Sequence, residues 1–133
     1  MKRDQLPPYA LTMGMTFAGI VDDIPVIAMD FAERVLGRPG FLHGGAIGSL
    51  LETAGFAALA ADLARRGVEA HIKPININIE YLRSGLPEPI FAVGNVLRAG
   101  RRVANVQVEA WQGDRTRPVA SCWMNIQLLP VMD

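Results

Sequence analysis

From Ala46 to Ala64 the chain reads as a helix that is apolar on nearly every side, with one carboxylate, Glu52, in its interior. A helix of that kind belongs to a core, so the remainder of the chain must wrap around it. A buried, unpaired carboxylate costs several kcal/mol or neutralises by raising its pKa, so Glu52 is expected to have either a partner or a chemical task. On a helix, the i, i+3, i+4 rule places Gly45, Gly48, Ser49, Gly55 and Phe56 on the face of Glu52. Glycines inside a helix cost roughly 1 kcal/mol each relative to alanine. Their presence beside the carboxylate means that a ligand or a second backbone comes close.

The triplet His43-Gly44-Gly45 stands at the N-terminal mouth of the same helix. The first N–H groups of a helix have no intrahelical partners, and two glycines leave them open to approach. With the helix dipole, such amides can form an oxyanion hole for a carbonyl under attack. Glu52 lies about two turns further on, roughly 10 Å at 1.5 Å rise per residue, too far for one carbonyl to touch both. A two-fold dimer resolves the distance by setting the glycine amides of one subunit against the carboxylate of the other. The bland alternatives are a structural Glu52 paired with an arginine or an amide, a His43 that only caps the helix, and glycines that serve tight packing.

After the helix, Arg65-Arg66-Gly67 supplies basic residues and a glycine stop. Ile75, Ile77, Ile79 and Tyr81 then alternate with Asn76, Asn78 and Glu80, the period of a strand with one apolar face. Three more strands are expected over Ile90 to Arg98, around Ala104 to Ala110, and from Pro118 to Leu129, the last with Cys122 inward. Before the helix, Thr16 to Val21 and Pro25 to Ala32 read as extended segments about an Asp22-Asp23 turn, and residues 1–11 as a tail that packs on the body as a loop or short turn. The expectation is one α+β domain, an antiparallel meander covering a single helix.

Composition narrows the function classes. The 133 residues include 13 basic and 13 acidic side chains, so no global attraction to nucleic acid or an anionic membrane follows. The single cysteine, Cys122, excludes an internal disulfide and a cysteine-based zinc site within one chain, and two separated histidines give little support for any metal. Lys2 and Arg3 lead into Gln5, Pro7 and Pro8 instead of an apolar run, so no secretory signal is expected, nor any bilayer-spanning run. A reducing cytoplasm is the expected location. Ser49, in Ala46-Ile47-Gly48-Ser49-Leu50, lacks the second glycine of a serine-hydrolase elbow, and Gly37 to Gly45 lacks the strand and spacing of a dinucleotide fingerprint.

The run Gly40-Phe41-Leu42-His43-Gly44-Gly45, with Glu52 nine positions after the histidine, resembles the hotdog-fold acyl-CoA thioesterases, in particular the phenylacetate-degradation (PaaI-type) and 4-hydroxybenzoyl-CoA branch. Asn76 to Arg83 is similar to that family's strand and its Tyr/Phe-Leu-Arg/Lys turn, and Gly100-Arg101-Arg102 falls where the family has a Gly-Arg/Lys hairpin. The resemblance implies a hotdog fold, with Glu52 as nucleophile or general base, the Gly44 amide polarising the thioester carbonyl, and His43 helping to fix that region. Gly45, Ser49 and Phe56 become substrate contacts. Arg83, Arg101 and Arg102 become candidates for the phosphates of coenzyme A, which arginine meets with a bidentate fork. It further implies a homodimer with a shared site, paired into a dimer of dimers, and no cofactor beyond the CoA of the substrate. One position departs: six residues before the histidine, where many members have Asn or Gln, stands Gly37. That departure is the feature favouring the alternative of a non-catalytic acyl-CoA binding or sensing module.

Overall fold

The computed structural model describes residues 5–131. The first part of the tail, residues 1–4, lies outside them, and the rest carries a short helix, α1 (Pro8–Thr12), where a loop or turn was expected. Proline is favoured in a first helical turn because its missing N–H would be orphaned there anyway. Ala10, fully buried, holds α1 to the body. Strands β1 (Met15–Val21) and β2 (Ile24–Met29) form a hairpin through Asp22 and Asp23, with φ of 51° and 64°. Both turn residues are left-handed, which the short polar side chain of Asp tolerates and which matches the strand twist. The second strand ends at Met29, short of the expected Ala32.

The long helix α2 (Gly44–Arg65) begins two residues before the expected Ala46. It stops where Gly67 takes φ +67°, with the Val68 amide donating to the Leu63 carbonyl at 2.9 Å and the Gly67 amide to Ala64 at 3.2 Å. That pair satisfies carbonyls the helix end would otherwise orphan. Strands β3 (Ala70–Tyr81), β4 (Ile90–Ala99), β5 (Val103–Trp111) and β6 (Ala120–Pro130) complete one antiparallel sheet in the order β1-β2-β4-β5-β6-β3. The simple meander is thus corrected: β4, β5 and β6 are sequential neighbours, but β3 crosses to the far edge beside β6.

The helix lies across β2, β4 and β5. Leu50, Leu51, Leu59, Ile27, Met29, Ile90, Val106, Val108 and Ile126 are fully buried between helix and sheet. Close approach depends on glycine. A Cβ on Gly94 would stand 2.8 Å from the Ala58 Cβ and 3.1 Å from the Ala54 carbonyl oxygen, and one on Gly55 would overlap the Met124 sulfur. For Gly55, then, the small residue admits the sheet itself.

Two expectations about burial need correction. Within β3 a bulge between Pro74 and Asn76 shifts the register, so Ile75 is 52% exposed instead of sharing the face of Ile77 and Ile79. Also, α2 is long and apolar enough to span a bilayer by length and composition, contrary to the sequence reading. Its residues are mostly buried in this fold, as in the core helix of a globular domain.

Candidate active site

The first turn of α2 is tied down at almost every polar atom. His43 is the N-cap, and its Nδ1 accepts the Gly45 amide at 2.8 Å, which leaves Nε2 as the donor of the ring. The His43 carbonyl accepts the amides of Ala46 at 3.0 Å and Ile47 at 3.1 Å, while its own amide donates to the Val35 carbonyl at 2.8 Å. The Gly44 carbonyl accepts the Tyr81 hydroxyl at 2.9 Å, and the Gly45 carbonyl accepts the Ser49 hydroxyl at 2.9 Å. Because Ser49 donates there, the Tyr9 hydroxyl, 3.1 Å away, donates to the Ser49 oxygen. One backbone donor remains: the Gly44 amide has no hydrogen-bond partner among the described residues.

Glycine at 44 is not required by packing. A Cβ there would meet the Tyr81 ring at 3.5 Å, an ordinary contact, whereas a Cβ on Gly45 would press on the His43 imidazole at 2.9 Å. Gly45 therefore makes room for the cap, and Gly44 leaves its own amide uncovered. A cavity of about 590 Å³ opens at this turn, lined by His43, Gly44, Tyr81, Arg83, Arg38 and Phe41 among others. Arg83 is carried there because the amides of Leu82 and Arg83 both donate to the Val119 carbonyl, bending the chain at the end of β3. Arg38 lies over the Phe41 ring, 4.2 Å from its centroid, and forms no ion pair with Glu52.

Glu52 is half-buried, not enclosed in the core as the all-round apolar pattern implied. It stands on a stripe with Gly45, Ser49, Phe56 and Ala60, the line along which α2 is left partly uncovered by its own sheet. Gly48 and Gly55, expected on the same face, are buried against the sheet side, where a Cβ on Gly48 would meet the Ile79 methyl at 3.0 Å. Among the described residues the carboxylate has neither ion pair nor hydrogen bond. Its charge is felt by Cys122 behind it. That thiol is pushed up to about 12, chiefly by burial and then by Glu52, with a backbone hydrogen bond involving Val108 working in the opposite direction.

Within one chain the fold gathers His43, Gly44, Gly45, Ser49 and Arg83 at the helix mouth and leaves Glu52 and Phe56 further along the stripe. Arg101 and Arg102 are elsewhere. They join Arg66, Leu63 and Leu128 around a separate cavity of about 880 Å³ at the C-terminal end of α2. No cluster of three or more His, Cys, Asp or Glu side chains suited to a metal occurs among the described residues. Tyr81 and Arg38 also line the site; Arg38 was weighed from the sequence only as a partner for Glu52, which it is not. Tyr81 was read as the end of the alternating strand and the start of a turn, with no site role, although its hydroxyl reaches the Gly44 carbonyl.

Gly37 has a structural reason. Its amide donates to the Phe41 carbonyl at 3.0 Å, and a Cβ on it would come within 3.2 Å of the His43 Cα. The residue lets the loop fold tightly against the capping histidine.

One six-stranded antiparallel sheet wrapped on one long helix defines the class as the hotdog fold. Residues 39–119, more than half of the chain, match the family described as Thioesterase superfamily, and the chain belongs to that family. No curated protein sequence matches it. Among solved structures, a protein from Chromobacterium violaceum is 32% identical, with 95% of this chain and 85% of that chain covered and a TM-score of 0.72. A thioesterase from Haemophilus influenzae, 17% identical, covers 94% of this chain and 85% of its own at a TM-score of 0.80. A thioesterase family protein from Silicibacter pomeroyi, 18% identical, covers 94% and 91% at 0.78. These two share the fold. Family membership points to thioester hydrolysis as the class of reaction.

Proposed function

We propose that the protein hydrolyses acyl-CoA thioesters to free acid and CoA. The observation that carries this reading is the Gly44 amide, the one backbone donor of the first turn without a partner among the described residues, at a cavity that Gly44 and His43 both line. A thioester carbonyl oxygen placed on that amide has its developing negative charge stabilised by a preorganised donor and by the helix dipole. Glu52 supplies the second function, attacking the carbonyl carbon or taking a proton from water. It lies eight residues from Gly44, about 12 Å along the helix axis, so the carboxylate that serves one Gly44 belongs to a facing subunit. Two features support such a dimer: the partly uncovered stripe bearing Glu52, and the outer edge of β3, a 12-residue strand at the end of the sheet.

Arg83 beside the mouth, and Arg101 and Arg102 at the far cavity, offer cations for the phosphates of CoA, and Ser49 and Phe56 line the acyl side of the stripe. The assembly is a dimer of dimers in the cytoplasm, of the PaaI-type branch, and needs no cofactor. The test is release of free thiol from a panel of aliphatic and aromatic acyl-CoAs by the purified protein, with Glu52→Ala beside it. Turnover by the parent that falls about a hundredfold or more in the variant is expected for loss of an acid–base group. Binding of acyl-CoA without thiol release would favour the non-catalytic module, for which Gly37 is the specific feature.

A further inference from the structure

We infer that Tyr81 is a positioning residue for the Gly44 amide, an inference that rests on the oxyanion role proposed above. Two peptide planes meet at the Gly44 Cα. The carbonyl of Gly44 and the amide of Gly45 belong to one peptide unit, and it is held at both ends: the Tyr81 hydroxyl donates to the oxygen at 2.9 Å, and His43 Nδ1 accepts the N–H at 2.8 Å. The preceding unit contains the His43 carbonyl, held by the amides of Ala46 and Ile47, and the free Gly44 N–H. With both planes around the Gly44 Cα fixed, the free amide has one direction.

A Gly-Gly helix start needs such an anchor, since glycine has more backbone freedom to lose than any other residue. Among the described residues no other side chain bonds the Gly44 carbonyl. The Gly44 oxygen has a second lone pair beyond its helical bond, and the Tyr81 hydroxyl takes it from across the cavity, at the end of the edge strand. The ring also lies at van der Waals distance from where a Gly44 Cβ would be, so the peptide is covered on that side. Tyr81 is 53% exposed and contributes little to the core, so its hydroxyl can be removed without emptying a packed site.

The decisive variant is Tyr81→Phe, which keeps the ring. Because the negative charge on the thioester oxygen develops fully only in the transition state, kcat is expected to fall about tenfold, the worth of one hydrogen bond, while KM and the affinity for a non-hydrolysable acyl-CoA thioether stay within about twofold. Tyr9→Phe, which frees the Ser49 oxygen but neither end of the clamped peptide, is the control and leaves kcat within about twofold. Equal losses in the two variants, or an unchanged kcat in Tyr81→Phe, would overturn the inference. Amide hydrogen exchange on nitrogen-15-labelled protein tests the clamp without turnover: the Gly45 amide should exchange about tenfold faster in Tyr81→Phe, and an unchanged rate refutes it. A parent protein that releases no thiol would refute the hydrolase reading instead, with the exchange result still deciding the clamp.

Discussion

The imidazole of His43 closes back on the amide of Gly45, Nδ1 to N at 2.8 Å, and so caps the helix on which the whole candidate site is built. The contact sets the first turn of α2 and leaves the Gly44 amide as the backbone donor without a partner among the described residues.

If that cap contributes as N-caps do, His43→Ala leaves the Gly45 amide orphaned and lowers stability by about 1 kcal/mol. His43→Asn, whose side-chain oxygen can accept the same amide, recovers most of it. Urea denaturation of the three proteins checks the ordering. Equal stability of His43→Ala and the parent would show that the cap carries no weight.

Glu52 separates stability from activity. The carboxylate is half-buried and unpaired among the described residues, so Glu52→Gln is expected to change unfolding free energy by no more than about 0.5 kcal/mol. Thiol release should nonetheless fall about a hundredfold or more. A variant that loses stability along with activity would point to a structural carboxylate.

The helix–sheet contact at Gly94 should resist any added atom. Gly94→Ala sets a methyl 2.8 Å from the Ala58 Cβ and 3.1 Å from the backbone oxygen of Ala54, neither of which is the end of a flexible chain. Overpacking of this kind costs about 1–3 kcal/mol, read as a lower thermal midpoint. A midpoint equal to that of the parent would mean the helix rides further from β4 than described.

Cys122 gives a pH dependence whose sign is fixed. Its thiol has an ordinary value of 9.0 and is pushed up to about 12 in the fold, by burial first and by the Glu52 charge second. The unfolded chain therefore releases a proton that the folded chain keeps. The stability from this group is full below pH 9 and is lost as pH rises from 9 toward 12, by up to about 1.4 kcal/mol per pH unit. Urea midpoints at about pH 8 and about pH 10.5 should diverge more for the parent than for Cys122→Ala. Equal divergence would contradict the shift.

The long helix, its glycine stop and the four following strands were legible because each rests on a local pattern: all-round apolarity, a left-handed Gly67, and alternation of the kind seen at Ala104, Val106, Val108 and Ala110. Strand order was not legible. That β3 crosses to pair with β6 is a long-range choice with no local signature, and the bulge after Pro74 that turns Ile75 outward breaks the alternation it was read from. Glu52 was over-buried in the sequence reading because an apolar helix surface does not say which side the chain's own sheet leaves open. The roles of the glycines separated only in three dimensions: Gly55 against the sheet, Gly45 against the imidazole, Gly44 at ordinary contact distance from the Tyr81 ring. Tyr81 stayed hidden for the same reason, since its hydroxyl reaches a carbonyl 37 residues away.

The central claim, that the Gly44 amide is the oxyanion donor, is tested most directly by thiol release from acyl-CoA in Gly44→Pro beside Gly44→Ala. Proline is well suited to the first helical position and His43 already has the extended backbone it requires, with φ −67° and ψ 133°, so Gly44→Pro deletes the amide while leaving the helix intact. Alanine keeps the amide and adds a methyl at ordinary contact distance from Tyr81. The account predicts that Gly44→Pro loses about a hundredfold to a thousandfold in kcat, the scale for one oxyanion donor, while Gly44→Ala stays within about tenfold of the parent. A folded Gly44→Pro protein with the parent's kcat would contradict it.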